Sequence, residues 1–212
     1  TGVGCIQTVK TKYEKATLNA VKKGIEEMKR KSGPHRKFVV RIHKDGDQSF
    51  KGDVKQYITD NEWWSTVTVP DDHDGNSRIE RRNRKLLDSV RTMLIDATGG
   101  SLQYEELGIH ALQHASDVFC YLSESGGMSP VERAGGQQLT VMDTFEVFGT
   151  KVYYHEHTAA REGKLDAPAK MGIYIGRSQS TPAAVLIAPL SVIKGSDMFK
   201  IEPPVTRKTY KA

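Results

Sequence analysis

Lys37-Phe38-Val39-Val40-Arg41-Ile42-His43-Lys44-Asp45 is the stretch on which the fold turns. Its apolar run predicts a strand from Lys37 to His43, buried on both faces, with Asp45 at the strand end. Upstream, Leu18, Val21, Ile25 and Met28 form one helical stripe within residues 13–31. Ser32-Gly33-Pro34 ends that helix, and Val3 to Val9 reads as a weak strand. Downstream, Asp45-Gly46-Asp47 is a turn, Lys51 to Glu62 a short helix and Ser65 to Val69 a short strand. The polar loop Pro70-Asp71-Asp72-His73-Asp74-Gly75 carries turn chemistry. The expected class is α/β.

Asn76-Ser77-Arg78-Ile79-Glu80-Arg81-Arg82-Asn83-Arg84-Lys85-Leu86-Leu87 opens the next helix, with Asn76 or Ser77 as its cap. Ile79, Leu86, Leu87, Val90 and Leu94 make its apolar stripe. Arg78, Arg81, Arg82, Lys85 and Arg91 lie largely off it. Gly99-Gly100 ends it, and a further helix runs from about Leu102 to Leu122. Glu80 falls in the first turn, with thirty-four residues between it and Asp45. A strand-end Asp and a helical Glu can converge on one divalent metal, and the basic side chains around them suit a phosphate backbone. That pattern points to metal-dependent phosphoryl transfer on nucleic acid.

Charge adds to that reading. Residues 1–44 hold twelve Lys or Arg against three Glu, a surplus of nine, so the rest of the chain sums to −4 against a total of +5. Lys22-Lys23 and Lys29-Arg30-Lys31 read either as a solvated helix face or as a polyanion-facing surface. Cys5 and Cys120 share no motif and give neither a disulfide framework nor zinc spacing. No stretch approaches the roughly 20 apolar residues of a membrane helix, and an intracellular setting is expected. The chain begins at Thr1 and reads as a piece of something longer.

After Gly126-Gly127 the pattern changes. Phe145 to His155 alternates, and Met171 to Gly176, Ala183 to Ile187 and Leu190 to Ile193 read as short strands. The expected organisation is a core over residues 1–125, a small β-rich subdomain over 126–200 and a mobile tail over 201–212. Two aromatics, Trp63-Trp64, either stack on bases or anchor core packing. His110 and His114, four apart on a helix, read as a packed pair rather than metal ligands. His155 and His157 read as structural, and His73 as a weak phosphate contact.

The ordered segments resemble the integrase of copia-type LTR retrotransposons, a domain of the Pol polyprotein. Lys44-Asp45-Gly46-Asp47-Gln48-Ser49-Phe50 looks like the family's S-D-N-G-x-E-F around its second catalytic Asp. Asn76 to Leu87 looks like N-G-V-A-E-R-x-N-R-T-L-L, with Glu80 at the catalytic Glu. Ser129-Pro130-Val131-Glu132, Val147-Phe148-Gly149-Thr150-Lys151-Val152-Tyr153, Lys164-Leu165-Asp166 and Gly172-Ile173-Tyr174-Ile175-Gly176 resemble T/S-P-Y-E, F-G-C-x-x-Y, K-L-D and G-I-F-L-G-Y. The Asp45–Glu80 spacing is about one residue short of the family's.

The resemblance implies a partial RNase H-like, retroviral integrase-type core followed by a small β-rich subdomain. It implies two Mg²⁺ or Mn²⁺ ions, with Asp45 and Glu80 as catalytic and metal-binding residues. It also implies DNA 3′-end processing and strand transfer on element ends and target DNA, a homo-oligomer, and a nuclear or virus-like-particle setting. Arg78, Arg81, Arg82, Arg84 and Lys85 are the expected DNA contacts. The family's first catalytic Asp and its zinc module have no counterpart here, which reads as N-terminal truncation. Gly46, Asp47, Ser49 and Ser77 also depart from the pattern, and Asp47 is a substitute ligand candidate. A non-catalytic nucleic-acid-binding or structural descendant is therefore the second reading. A plain RNase H-like nuclease is the third, and the segments beyond residue 128 argue against it.

Overall fold

Helix α1 spans Glu14–Lys31 and strand β1 Arg41–Lys44. Helix α2 (Asp53–Asp60), strand β2 (Trp64–Val67), and helices α3 (Ser77–Thr98) and α4 (Glu105–Tyr121) follow. A computed structural model describes residues 3–7, 9, 13–33, 41–44, 50–67, 77–99, 105–122, 127–139, 145–156, 167–181, 183–192, 199–208 and 210–211. The chain is mixed α/β, as expected. It divides into two compact units, residues 1–87 with 116–138 and residues 88–115 with 139–212. The division passes through α3 and α4 rather than after residue 125.

In the first unit β1 and β2 pair in parallel, Arg41 beside Trp64 and Lys44 beside Val67. A parallel pair needs a crossover, and α2 supplies it. The order in this unit is α1-β1-α2-β2-α3, without the strand expected ahead of α1 over residues 3–7. The expectation of a strand buried on both faces fails over Arg41–Lys44, where exposed and half-buried side chains alternate. Arg, His and Lys at three of four positions keep one face in water; Lys37 to Val40 lie outside the described residues.

Residues 3–7 form no strand. Side chains hold this segment instead. The Cys5 thiol donates to the Gly24 carbonyl at 3.2 Å, and Gln7 donates to Glu27 at 2.8 Å. The Cys120 thiol donates to the Gly4 carbonyl at 3.0 Å. Burial, with Glu27 nearby, pushes the Cys5 thiol up to about 11, so it stays protonated and inert.

Lys31 departs from both readings of the basic run at the end of α1, while Lys29 and Arg30 are exposed. It is neither solvated nor facing a polyanion but 4% exposed. Its ammonium lies 2.8 Å from Glu27 and 2.9 Å from Asp117 of α4. Burial alone would lower its pKa. Asp117 and Glu27 outweigh that and hold it above the ordinary lysine value. Directly after it the Gly33 N–H donates to the Ala134 carbonyl at 3.3 Å.

Near Ala134, Ser129-Pro130-Val131-Glu132 forms the short helix α5 (Pro130–Arg133) with a complete capping box. The Ser129 N–H donates to the Glu132 carboxylate at 2.6 Å, and the Glu132 N–H donates to the Ser129 hydroxyl at 3.2 Å.

Helix α2 ends in a Schellman motif. The Glu62 N–H donates to the Thr59 carbonyl at 3.0 Å and the Trp63 N–H to the Ile58 carbonyl at 3.1 Å. Glu62 takes φ 54, the left-handed position that glycine usually fills. The motif's apolar contact is Trp63 against Tyr57, edge to face at 5.4 Å. Trp63 is thereby anchored, and Trp64 starts β2 facing solvent.

The second unit is built on a β-sheet. Its strands are β3 (Lys151–His155), β4 (Ala169–Arg177), β5 (Val185–Val192), β6 (Phe199–Ile201), β7 (Val205–Arg207) and β8 (Tyr210–Lys211). The order is β6-β5-β4-β3-β8, with β7 also on β5. Residues 201–212 are therefore not a loose tail, because β7 and β8 close the sheet. Laid flat, β7 and β8 would stand four strand spacings apart, about 19 Å at about 4.8 Å each. Arg207 and Tyr210 are three residues apart and span at most about 10 Å. The sheet must curl toward a barrel.

Inside the curl are Val152, Tyr154, Tyr174, Val185 and Ile187, with Val205 and Tyr210 packed against them. Strand β4 is buried from Gly172 to Gly176. A bulge shifts its register between Tyr174 and Gly176, and Gly176 takes φ 137 there. The predicted strands Ala183–Ile187 and Leu190–Ile193 merge into the single strand β5.

Two stability outcomes follow from these contacts. Lys31→Met should cost about 3–5 kcal/mol in urea unfolding at neutral pH, because it strands two buried carboxylates. A deficit below about 1 kcal/mol contradicts the buried ion cluster. Glu62→Gly should raise stability by about 1 kcal/mol by relieving the left-handed backbone. A lower urea midpoint would show that Glu62 is not strained.

Candidate nucleic-acid and metal site

Asp45 lies outside the described residues, as do Asp47 and His73. Its neighbour Lys44 closes β1, and the Lys44 ammonium donates to the Phe50 carbonyl at 3.0 Å. That bond ties the two ends of the segment holding Asp45. Strand β1 ends at Lys44, the residue before Asp45 in the sequence.

Glu80 stands in the first turn of α3 and is exposed. The helix dipole favours an acid there. At 100° per residue Glu80 shares a side of the helix with Arg84, Leu87 and Arg91, and Arg78, Arg81 and Lys85 form an adjoining strip. Arg78, Arg81, Arg84 and Lys85 are exposed. The Arg81 Nε donates to the Ser77 carbonyl at 3.2 Å, along its own helix. Arg91 pairs with Asp88 at 2.8 Å, both more than half exposed, so this pair contributes little.

The expected stripe of α3 shifts. Leu86 and Val90 are buried, but Ile79 and Leu87 are 53% and 48% exposed. Arg82 takes a place on the buried side instead. Its guanidinium donates to the Cys120 sulfur at 3.7 Å and lies so close to Gly4 that a Cβ there would meet it at 2.7 Å. Arg82 is half-buried, as a long side chain with a charged head can be. Arg82 therefore differs from the four exposed cations beside it.

Carboxylate oxygens are hard ligands suited to Mg²⁺ or Mn²⁺, and Glu80 presents them to solvent. Among the described residues no three His, Cys, Asp or Glu side chains cluster as a ready-made metal site. The His110–His114 pair does not bind as one. His114 is buried against Phe145, Phe148 and Tyr174, with ring centroids 5.5, 5.7 and 5.6 Å away. His110 lines a cavity of about 360 Å³ with Leu107, Ala188, Ile201, Glu202, Pro203 and Pro204. Burial lowers its pKa. His155 is exposed on β3, and His157 lies outside the described residues.

The buried Glu27–Lys31–Asp117 cluster was not read from the sequence. Its signals were present: Glu27 and Lys31 sit four apart, and Asp117 lies three residues before the buried Cys120. No helix among the described residues is long and apolar enough to cross a membrane.

No family model matches the chain, and no curated protein matches it. Among solved structures, it is similar to the catalytic core domain of BIV integrase at 17% identity, over 60% of this chain and 74% of that one, with a TM-score of 0.44. It is also similar to the simian T-cell lymphotropic virus intasome in complex with PP2A regulatory subunit B56 gamma. That match has 15% identity over 92% of this chain and 63% of that one, with a TM-score of 0.46. At these values neither likeness assigns a function.

Arg82→Ala should lower unfolding free energy by about 1–2 kcal/mol, through lost stem packing and the lost bond to sulfur. Arg81→Ala should stay within about 0.5 kcal/mol of the parent. Equal urea midpoints for the two variants would remove Arg82 from the interior.

Proposed function

We propose that the chain is part of an RNase H-like polynucleotidyl transferase of the integrase type, taken from a retrotransposon Pol polyprotein. One observation carries this reading. A parallel strand pair joined through α2 ends β1 at Lys44, next in sequence to Asp45, and helix α3 opens with Glu80 among exposed cations. Asp45 and Glu80 would hold Mg²⁺ or Mn²⁺, two ions by family resemblance. Bound there, such ions activate the attacking oxygen and stabilise the leaving oxygen of a phosphodiester.

The chain's own contribution is positioning. Arg78, Arg81, Arg84 and Lys85 offer a row of charges to the phosphates of element ends and target DNA. Arg82 braces the helix from behind. Homo-oligomerisation and a nuclear or particle setting rest on the resemblance alone. Gly46, Asp47, Ser49 and Ser77, which depart from the family pattern, favour a second reading, a non-catalytic nucleic-acid-binding or structural descendant. It predicts DNA affinity with steep salt dependence and no metal-dependent transfer.

Glu80→Gln separates the two. On the chain as it stands, Mn²⁺ binding followed by electron paramagnetic resonance should weaken about tenfold or more, while DNA binding stays nearly intact. Unchanged Mn²⁺ binding removes Glu80 as a ligand and leaves the non-catalytic reading. A parallel loss of DNA affinity would mean the substitution damaged the helix rather than a metal site.

A further inference from the structure

Trp64 is 72% exposed, an unusual state for a large indole. Its neighbour Trp63 explains why. The Schellman turn commits Trp63 to Tyr57 and leaves Trp64 as the first residue of β2, on the open side of the sheet. The parallel register sets Arg41 directly beside Trp64 and His43 beside Thr66. Side chains paired in this way leave the same face about 5 Å apart. The His43 Nδ1 to Thr66 hydroxyl bond at 2.8 Å confirms that they do.

Arg41 is exposed, and among the described residues it makes no ion pair. This face therefore offers a solvated indole, an exposed guanidinium and an imidazole. It is not a continuous apolar patch, so a greasy protein surface would leave Arg41 unmatched and desolvated. A flat π-face beside a fixed cation fits an unpaired base and its phosphate.

We infer that the Arg41–Trp64 face of the β1–β2 sheet binds single-stranded nucleic acid, with a base stacked on Trp64 and its phosphate held by Arg41. This rests on the nucleic-acid reading for the class of partner but not on metal chemistry. It assigns the sheet a part separate from α3. Duplex backbones meet exposed arginines; a stacked base requires an unpaired strand, as at a processed or frayed end.

The test uses fluorescence anisotropy with an oligothymidine and a duplex of equal length, in the presence of a metal chelator so that Glu80 plays no part. Trp64→Ala should weaken oligothymidine binding about tenfold, leave duplex binding unchanged and leave the salt slope unchanged. Trp64→Phe should restore most of the loss. Arg41→Gln should lower the single-strand salt slope by about 0.7. Trp64 is exposed, so the Ala variant should melt with the parent, and a far-ultraviolet melt checks this.

Equal affinity of parent and Trp64→Ala for oligothymidine overturns the inference. So does an equal loss on single strand and duplex, or a parent that does not bind oligothymidine at all, which leaves the face to a protein partner. Failure here with loss of Mn²⁺ in Glu80→Gln refutes the sheet face and spares the metal site. The reverse pair of results does the opposite.

Discussion

The first unit depends on one buried ammonium. Lys31 ends α1, and its charge sits between Glu27 one turn back and Asp117 on α4. Three charges out of water are costly unless each is matched, and the match fixes where the end of α1 lies against α4. Around that point the remaining ties are short and polar: Gln7 to Glu27, Gly4 to Cys120, Arg82 to Cys120, Gly33 to Ala134. The apolar stripe Leu18, Val21, Ile25 and Met28 is only half-buried, while Thr17, Gly24, Glu27 and Lys31 are buried. Close approach and charge pairing, more than bulk apolar burial, determine how α1 is seated.

The second unit follows a different principle. Its strands bury alternate aromatic and β-branched side chains, and a short closing segment forces the curl. Tyr174 of β4 stacks on Tyr210 of β8 at 6.5 Å, and the Tyr210 hydroxyl donates to Glu146 at 3.3 Å. Burial raises both phenol pKa values. A segment rich in Lys and Pro thus becomes structural because a few residues, Val205, Thr206, Arg207 and Tyr210, find open strand edges. Edges left unpaired would invite association with other chains.

The proposed chemistry and the inferred base contact draw on different physics. Glu80 and the cations of α3 act through charge on an exposed helix. Trp64 and Arg41 act through a flat ring and one guanidinium on a sheet face. The exposed cations of α3 suit a duplex backbone, and the sheet face sets the Arg41 guanidinium beside one exposed indole. A strand end leaving a duplex would meet both kinds of contact.

Local pattern by itself determined much of this protein. The helices over residues 14–31, 53–60, 77–98 and 105–121, the parallel strand before Asp45 and the β-rich second half all follow from periodicity and from turn residues, because those signals are short-range. The capping box at Ser129 and Glu132 is equally local. What only the tertiary structure decided depends on partners distant in sequence. Arg82 and Arg81 are adjacent and chemically identical, but Cys120 and Gly4 draw only Arg82 inward. Lys31 resembles Lys29 and Arg30 until Asp117 arrives from α4. Trp63 and Trp64 separate because a left-handed turn at Glu62 aims one at Tyr57 and the other at water. The last residues look mobile until β5 and β3 present free edges. For Arg82, Lys31 and the last strands the deciding group lies beyond the reach of a local window, so side-chain identity alone left the outcome open.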